Sequence, residues 1–220
     1  MKTVSVIGAT GMVGSALVKL LLADNSFSNI IVFSRRSLPM QHEKLRVHII
    51  DFNKPDTWQH LVQGDVLFSA LGTTLKQAGS KEAQYKIDYA YQLDFAKAAS
   101  LNRVATYVLV SSASANPDSK IFYTRMKGEL ERDVKTLPFK NITIIQPSLL
   151  VGKRNEKRIG EKIGYHILHF FNAIGTFKKY RPIGAETVAK AMINASMKSI
   201  SGIHIYSLDE IFALAGERGR

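Results

Sequence analysis

The first two thirds of the sequence alternate short apolar strands with stretches of helical periodicity, and this alternation constrains the fold more than any other feature. Predicted strands cover residues 3–7, 30–33, 46–50, 65–70, 105–110 and 141–146, and predicted helices cover residues 12–22, 81–100 and 121–135. Strands that are apolar on both faces and separated by helix-length connections form a parallel sheet covered on both sides. The sequence therefore predicts an α/β fold with a doubly wound parallel sheet.

A basic and aromatic segment, residues 152–181, interrupts this alternation. Between Lys153 and Arg181 eight basic residues stand against two acidic ones, which supplies half of the formal net charge of +12. We interpret the segment as a lid-like insertion over a substrate site, within one domain that spans residues 1–220. The alternatives are contact with RNA, with acidic lipid, or with a protein partner, including a homodimer face. A helix over 185–197 and a strand over 202–206 are predicted to follow.

Cysteine is absent from the sequence. This excludes disulfide frameworks, zinc fingers, thiolate nucleophiles and iron–sulfur clusters, and it favours a reducing compartment. No apolar run approaches the roughly 18 residues that a membrane span requires, and no leader with a cleavage site precedes the first strand. We therefore expect a cytoplasmic protein without a membrane span. His166 and His169 lack a third ligand at suitable spacing, so we expect no metal.

Three glycines follow the first strand with the spacing GxxGxxG, in the segment Gly8-Ala9-Thr10-Gly11-Met12-Val13-Gly14. A glycine-rich turn at this position holds the diphosphate of a dinucleotide with backbone N–H groups and the positive end of the helix. Gly8 allows a tight exit from the strand, Gly11 lets phosphate approach the main chain, and Gly14 lets the helix lie close to the sheet. The predicted cofactor contacts are Gly8, Thr10, Gly11, Met12 and Val13.

Two arginines, Arg35 and Arg36, follow the second predicted strand. An NAD enzyme carries a carboxylate there for the ribose 2′-hydroxyl, and none is present in this sequence. Two guanidinium groups suit a 2′-phosphate, which they bind with bidentate, charge-assisted hydrogen bonds. The sequence therefore favours NADP(H) over NAD(H), and the alternative is an exposed basic turn without a ligand.

Two further segments lie at the carboxyl ends of predicted strands, where ligands bind to an open parallel sheet. Asp51 and Phe52 end the third strand, and Leu71 and Gly72 end the fourth. A short acid there can accept a hydrogen bond from the adenine amino group, and a glycine lets the cofactor pass. We include these four residues in the predicted cofactor site; the alternative for Asp51 is a turn cap.

A tyrosine and a lysine, Tyr123 and Lys127, lie four residues apart in the helix after the fifth strand. They share one helical face, and an ammonium near a phenol stabilises the phenolate, as general acid/base catalysis requires. Lys127 can also hold the nicotinamide ribose. Ser111 and Ser112 leave the same strand, and a hydroxyl there can donate to a substrate carbonyl. We place Ser112 first and Ser111 second, because the sequence does not show the register of the loop.

These motifs resemble the short-chain dehydrogenase/reductases, specifically their atypical NAD(P)-binding branch, over nearly the whole chain. The sequence looks most like the Tat-interacting-protein type of oxidoreductase, which has runs similar to Leu71–Thr74, Ala78-Gly79, Ser111-Ser112, Tyr123–Glu129 and Leu149-Leu150. The resemblance implies a Rossmann fold, NADP(H) at the glycine turn and the two arginines, and Tyr123 with Lys127 as the catalytic pair. It also implies that Pro147, Ser148 and Leu149 line the nicotinamide pocket, although Gln146 and Ser148 stand where relatives usually have Arg-Pro-Gly.

The expected function is that of an NADP(H)-dependent oxidoreductase that transfers hydride to or from a carbonyl or hydroxyl of a small organic substrate. Tyr123 would exchange the proton, Lys127 would support it, and Ser112 would orient the carbonyl. Two alternatives stay open: an epimerase or dehydratase that uses the cofactor transiently, and an NADPH-sensing regulatory or protein-binding module without turnover. Binding of nucleic acid through the basic segment ranks last, and the sequence does not specify the substrate.

Overall fold

A computed structural model describes residues 1–151, 181–198 and 200–217. Its nine strands are β1 (Lys2–Ile7), β2 (Phe27–Ser34), β3 (Leu45–Ile49), β4 (Val66–Ser69), β5 (Thr106–Val110), β6 (Asn141–Gln146), β7 (Leu150–Val151), β8 (Ile183–Gly184) and β9 (Gly202–Ser207). Seven of them form one sheet in the order β3-β2-β1-β4-β5-β6-β9, and β7 pairs with β8 separately. All of these pairings are parallel.

Helices connect and cover the strands. They are α1 (Met12–Ala23), α2 (Leu75–Ala78), α3 (Lys81–Tyr85), α4 (Tyr91–Leu101), α5 (Phe122–Val134), α6 (Ala185–Met197) and α7 (Asp209–Leu214), with 3₁₀ turns at Pro55–Thr57 and Gln59–Leu61. A π-turn, Lys86–Ala90, joins α3 to α4. The predicted helices and strands are therefore present within a few residues of their expected limits, except that the helix predicted over residues 81–100 is interrupted.

The strand order reverses between β1 and β4. From β1 the chain builds outward through β2 and β3, and from β4 it builds in the other direction through β5, β6 and β9. Because the strands are parallel, their carboxyl ends share one edge, and the crevice at the reversal is the usual ligand position in such sheets. The doubly wound parallel sheet and the Rossmann fold are confirmed.

Both faces of the sheet are covered by apolar helix faces, as the strand composition predicts. Val4 of β1 belongs to one buried cluster together with Leu17 of α1 and residues of α6. Leu109 of β5 belongs to a second cluster together with Phe95 of α4 and Leu130 of α5. Alternate side chains of a strand point to opposite faces, so the inner strands β2, β1, β4, β5 and β6 contribute to both layers.

The predicted helix over residues 81–100 is wrong in one respect, because the π-turn divides it into α3 and α4. Apolar periodicity cannot register a single π-turn, since the apolar face continues on both sides of it. The last helix, α7, and the paired strands β7 and β8 are also additions to the prediction. They have six and two residues respectively, which is too short for a periodicity argument.

The predicted insertion over residues 152–181 lies outside the described residues except for Arg181, as do His166 and His169. At its base, Leu150 pairs with Ile183 and Val151 pairs with Gly184, which holds the two ends of the segment side by side. In the part of the chain that the structure describes, no helix combines the length and the apolar composition that crossing a membrane requires.

Candidate active site

The glycine turn lies at the crevice between β1 and β4. Gly8 has a φ angle of +85°, and a Cβ there would overlap the backbone of Ala70 at the end of β4. The N–H of Gly11 donates to the carbonyl of Gly8 at 2.9 Å. A Cβ at Gly14 would overlap that same carbonyl. The turn therefore depends on the missing side chains, because either β-carbon would drive the backbone segments apart.

Helix α1 starts at this turn, and no side chain caps its N-terminus. Gly11 is the N-cap, no side chain bonds to the first N–H groups, and the first turn contains no acidic residue. A groove of about 580 Å³ passes the turn, and Thr10, Gly11 and Met12 line it. Val13 is buried in the core, so only its backbone is left for a ligand. An uncapped helix end beside a groove fits the diphosphate of a dinucleotide.

Arg35 and Arg36 are exposed at the carboxyl end of β2. The N–H of Arg36 faces the Oγ of Ser34 at 3.4 Å, which fixes the start of this turn. Among the described residues, no carboxylate forms an ion pair with either guanidinium. Two adjacent guanidinium groups thus project from the edge of the sheet that carries the glycine turn.

Asp51 and Phe52 occupy different environments after β3. The carboxylate of Asp51 is exposed and accepts hydrogen bonds from the N–H and the Nδ2 of Asn53, at 3.0 and 2.9 Å. The Asn53 N–H bond is the main reason that the pKa of Asp51 lies below its ordinary value. The Phe52 ring is buried against Trp58 and Tyr91. Asp51 therefore caps its own turn, and the ring of Phe52 belongs to the core.

The segment after β4 is tied to a buried carboxylate. Leu71 packs at the margin of the core, Gly72 is exposed, and the N–H of Thr73 donates to Asp88 Oδ1 at 2.7 Å. Burial raises the pKa of Asp88 above its ordinary value, while the nearby Lys127 ammonium and the Thr73 N–H oppose that rise. Asp88, a residue of the π-turn, therefore fixes the loop that contains Leu71 and Gly72, two of the predicted cofactor contacts.

Helix α5 presents the predicted proton-transfer pair in unlike environments. Tyr123, in the first turn, is 39% exposed, whereas Lys127, one turn later, is 4% exposed. The Nζ of Lys127 lies 4.0 Å from Asp88 Oδ2, and both side chains are almost inaccessible to solvent. An ammonium in this position is desolvated, so it acts on neighbouring charges more strongly than a surface lysine does.

The two predicted serines also differ. The Oγ of Ser111 is buried and has no hydrogen-bond partner in the part of the chain that the structure describes. The Oγ of Ser112 lies 3.2 Å from the Oγ of Ser114 and is partly buried. A buried hydroxyl without a partner is rare in folded proteins and is a common sign of an absent ligand or water.

The loop after β5 is anchored on α5 and on the segment after β6. The N–H of Asn116 donates to the carbonyl of Thr124 at 3.1 Å, and a Cβ at Gly128 would overlap the backbone of Asn116. The N–H of Ala113 donates to the carbonyl of Pro147 at 3.1 Å. These contacts bring the serine loop, the start of α5 and the residues after β6 together at the carboxyl edge.

The residues after β6 have their own partners. The Oγ of Ser148 donates to the carbonyl of Arg181 at 2.5 Å, and the N–H of Ile183 donates to the carbonyl of Leu149 at 2.9 Å. Pro147 is buried. Ser148 therefore connects the predicted nicotinamide segment to the base of residues 152–181.

Gln146 stands where relatives usually carry an arginine, and the structure shows what it contacts. Its amide Nε2 lies 2.9 and 3.0 Å from the two carboxylate oxygens of Glu131, which is buried on α5. Lys135 Nζ is 3.8 Å from the same carboxylate. The carboxylate of Glu131 is therefore hydrogen-bonded by the neutral amide of Gln146, and the positive charge near it comes from Lys135 at the end of α5.

Sequence reasoning missed Asp88. Gln84, Asp88 and Gln92 follow one another at four-residue spacing and are 4%, 1% and 0% exposed. Three polar residues on the apolar face of a predicted helix are a signal that was available, because buried polar groups need partners and so indicate a built network.

The sequence matches the model of the NAD dependent epimerase/dehydratase family over residues 4–205. A relative from Aspergillus terreus (strain NIH 2624 / FGSC A1156), named Protein fmp52-1, mitochondrial, is 34% identical over 224 residues, which cover 98% of this chain and 96% of the relative. The family match confirms the resemblance to NAD(P)-binding short-chain dehydrogenase/reductases at the level of the family.

Solved structures show the same fold at low identity. MoeE5 in complex with UDP-glucose and NAD superposes with a TM-score of 0.68 at 16% identity, covering 97% of this chain and 81% of that one. The human epimerase family protein SDR39U1 (isoform 2), with NADPH, gives a TM-score of 0.64 at 17% identity and covers 99% of this chain and 81% of that one.

The expected cytoplasmic location is wrong. The Aspergillus terreus relative, which spans nearly the whole chain, carries a mitochondrial name, and this finding points to the mitochondrion. The expectation came from the lack of cysteine, of a membrane-length apolar run and of an apolar leader, and the lack of a leader reports only on secretion.

Proposed function

This chain belongs to the NAD dependent epimerase/dehydratase family, and from that premise we propose that it is an NADP(H)-dependent oxidoreductase. Its substrate is a small organic molecule with a carbonyl or hydroxyl group, and Tyr123 and Lys127 carry the acid/base chemistry. The observation that carries the proposal is the start of α5, where a half-exposed tyrosine lies one turn from a buried, paired lysine.

The cofactor would be held by two kinds of group. The uncapped N-terminus of α1, with Gly8 and Gly11, suits the diphosphate, and Arg35 and Arg36 suit a 2′-phosphate. When bound, the nicotinamide cofactor supplies or accepts a hydride. The preference for NADP(H) is supported by the two unpaired guanidinium groups among the described residues and by the lack of a carboxylate after β2.

Proton transfer would fall to Tyr123. Tyr123 is 39% exposed, and in the reductive direction its hydroxyl would donate its proton to the carbonyl oxygen as the alcohol forms. Lys127 stabilises the phenolate that remains, because an ammonium shielded from water interacts strongly with a nearby negative charge. In the oxidative direction the same phenolate accepts the proton of the hydroxyl group.

The serine pair would orient the reacting groups. We assign Ser112 to the substrate oxygen, because its hydroxyl is only partly buried and its described contact is another hydroxyl, that of Ser114. Ser111, buried and without a partner among the described residues, would donate to the bound cofactor. The proposed pocket is completed by Leu71, Gly72, Pro147 and Leu149. The carboxylate of Asp51 is bonded to Asn53, and the hydroxyl of Ser148 to the carbonyl of Arg181.

The family match favours one second candidate, an epimerase or dehydratase in which the cofactor is reduced and reoxidised within each turnover. The same proton-transfer pair serves that chemistry, because a transient carbonyl also requires an acid and a base. The two candidates differ in one measurable way: a net reductase consumes NADPH in proportion to product, and an epimerase does not.

The test combines binding with turnover. We expect NADPH to raise the melting temperature of the protein and to be oxidised, as followed at its absorbance band, in the presence of at least one member of a panel of aldehydes and ketones. Tyr123→Phe should lower the rate by about 100-fold or more and leave NADPH affinity within a few-fold of wild type. Tyr206→Phe, which alters a tyrosine on the edge strand β9, is the matched control.

Two results would argue against the proposal. Full turnover by the Tyr123→Phe variant would remove the assigned proton donor. Tight binding of NADPH without reduction of any carbonyl, and without isomerisation of any hydroxyl substrate, would favour a module that senses NADPH.

A further inference from the structure

The short helix α7 has no part in the proton-transfer scheme above. It has six residues, and an isolated helix of this length is not stable in water. Ile211 and Leu214 are buried in the cluster that also contains residues of α6. Asp209 and Phe212 instead contact Arg181, which lies two residues before β8. One part of α7 therefore serves the core, and another part holds an arginine.

Neighbouring elements fix α7 independently of that arginine. The N–H of Ser207 donates to Glu210 Oε2 at 2.8 Å, and the Nδ2 of Asn194 on α6 donates to the carbonyl of Leu214 at 2.9 Å. Leu208, directly before the helix, has a φ of +53°, a conformation that a bulky residue keeps only where its surroundings enforce it. Both ends of α7 are thus held, and the helix can act as a fixed support.

The side chain of Arg181 is held by an aromatic ring and by a carboxylate. Its Cζ lies 3.7 Å from the centre of the Phe212 ring, and its Nε lies 3.2 Å from Asp209 Oδ1. A planar guanidinium group can stack on a ring while its edge meets an acid, and the two contacts together restrict its orientation. Asp209 and Phe212 are three residues apart, so they share one face of the helix.

The backbone of Arg181 is joined to the segment after β6. Its carbonyl accepts a hydrogen bond from the Oγ of Ser148 at 2.5 Å, next to the point where β7 and β8 pair. Val151 of β7 and Gly184 of β8 line the same groove as Gly11 of the glycine turn. A displacement of Arg181 would therefore move one wall of the groove in which we place the cofactor.

We propose that Arg181 is a positioning residue through which α7 fixes the wall of the cofactor groove that β7 and β8 form. Asp209 and Phe212 hold its side chain, and Ser148 connects its backbone to the strand pair. The inference rests on the cofactor site proposed above and deepens it. It assigns part of the affinity for NADPH to a helix that is not among the described elements lining the groove.

The first experiment measures the Kd for NADPH by isothermal titration. Phe212→Leu keeps an apolar side chain and removes the ring, so we expect binding to weaken by about fivefold. Asp209→Asn removes a half-exposed charge and should weaken binding by about twofold. Tyr206→Leu is the matched control, because its ring also meets a cation, but that cation is Lys198, with Nζ 5.1 Å from the ring centre. It should leave the Kd unchanged.

A double-mutant cycle separates positioning from a general loss of stability. Ser148→Ala removes the bond to the Arg181 carbonyl and should weaken NADPH binding by about fivefold, whereas Ser148→Thr, which keeps a hydroxyl, should retain most of the affinity. If both contacts act through Arg181, Phe212→Leu should add less than about twofold to the effect of Ser148→Ala. Fully additive effects would overturn the inference, as would a Phe212→Leu variant that melts at lower temperature and binds NADPH as wild type does.

The second experiment needs neither cofactor nor turnover. Amide hydrogen exchange, read by NMR on the cofactor-free protein, reports on the N–H groups of Ile183 and Ala113, which donate to carbonyls of the segment after β6. In Phe212→Leu both should exchange faster, by about fivefold for Ile183, and in Tyr206→Leu neither should change.

The exchange measurement also distinguishes this inference from the function on which it rests. Faster exchange in a protein that binds no NADPH would support the positioning role and count only against the proposed cofactor site. Unchanged exchange at both amides would overturn the positioning role even if NADPH binds. Asp209→Asn, at an exposed position, gives the same test with smaller changes should Phe212→Leu not fold.

Discussion

At the glycine turn, the groups that would meet a ligand are backbone atoms of neighbouring residues. Gly8, Gly11 and the first turn of α1 come from one short segment of chain. The other half of the carboxyl edge is assembled from side chains of distant segments: Lys127 of α5, Asp88 of the π-turn, and the serines after β5.

The difference determines how each half can fail. The glycine turn functions through absent side chains, so it is damaged by adding atoms. The other half, which we propose to be the catalytic half, would function through particular side-chain oxygens and nitrogens, so it would be damaged by removing them while the fold persists. Substitutions of the first kind should act on stability and binding together, and those of the second kind should separate rate from stability.

The largest effect is expected from Gly8→Ala. The residue has a positive φ, and the added Cβ would overlap the backbone of Ala70, so the change should cost about 3 kcal/mol or more of unfolding free energy and abolish NADPH binding. Gly79→Ala is the matched control. Gly79 has a φ of +88° with no atom within 4 Å of an added Cβ, so only the conformational cost of about 1 kcal/mol should remain.

Chemical denaturation and NADPH titration of both variants check this prediction. If Gly8→Ala and Gly79→Ala lost equal stability, the overlap with β4 would be irrelevant. The glycine turn would then be an ordinary tight turn, and the contrast between the two halves would fail.

The next largest effect is expected from Arg35 and Arg36. Their side chains belong to the half of the site in which the other groups that would meet a ligand are backbone atoms. Arg35→Ala and Arg36→Ala should each weaken NADPH binding by about 10- to 100-fold, since a hydrogen bond to a charged group contributes about 1.5–3 kcal/mol. NADH binding should be nearly unchanged, because NADH lacks the 2′-phosphate.

Isothermal titration with both nucleotides measures this selectivity. Arg103→Ala removes the same charge from an exposed turn before β5, at the opposite edge of the sheet, and should leave both affinities unaltered. Equal weakening of NADPH and NADH by Arg35→Ala would contradict a 2′-phosphate site.

The same contrast explains what the sequence could predict. The glycine turn and the Tyr123–Lys127 spacing are local patterns, in which residues a few positions apart must be neighbours in space. The pairing of Asp88 with Lys127 could not be predicted, because it depends on how α5 packs against the π-turn. The same limit applies to Asp51 and Phe52, which were predicted to contact the cofactor. The ring of Phe52 is buried in the core, and the carboxylate of Asp51 caps its own turn.

The order of the two serines is a finer prediction within the catalytic half. Ser112→Ala should lower the rate of carbonyl reduction by about 10-fold or more, because it removes the donor that we assign to the substrate. Ser111→Ala should leave the stability of the cofactor-free protein unchanged or slightly higher, since it removes a buried hydroxyl that has no partner among the described residues.

Melting curves with and without NADPH separate the two roles. If Ser111 donates to the cofactor, the stabilisation that NADPH gives should be smaller in Ser111→Ala than in wild type and unaltered in Ser112→Ala. The reverse pattern would exchange the assignments of the two hydroxyls.

The smallest effect is expected on the outer face of α5. Asp133 accepts hydrogen bonds from Arg132 Nε at 2.8 Å and from the Tyr89 hydroxyl at 2.6 Å, and Arg132 is the main reason that its pKa lies below the ordinary value. A lowered carboxyl pKa gives stability that is present at neutral pH and is lost as the pH falls through the folded-state value. Because the pair is partly exposed, Asp133→Asn should cost under about 1 kcal/mol at pH 7.

Thermal melts of Asp133→Asn and wild type from pH 7 down to pH 3 test this, and the gap between them should narrow toward acid. The pH dependence of carbonyl reduction should not move, because the described contacts of the Asp133 carboxylate are with Arg132 and Tyr89 and not with Lys127. A shift in the pH dependence of carbonyl reduction in Asp133→Asn would contradict this separation between the outer face of α5 and the proposed proton-transfer pair.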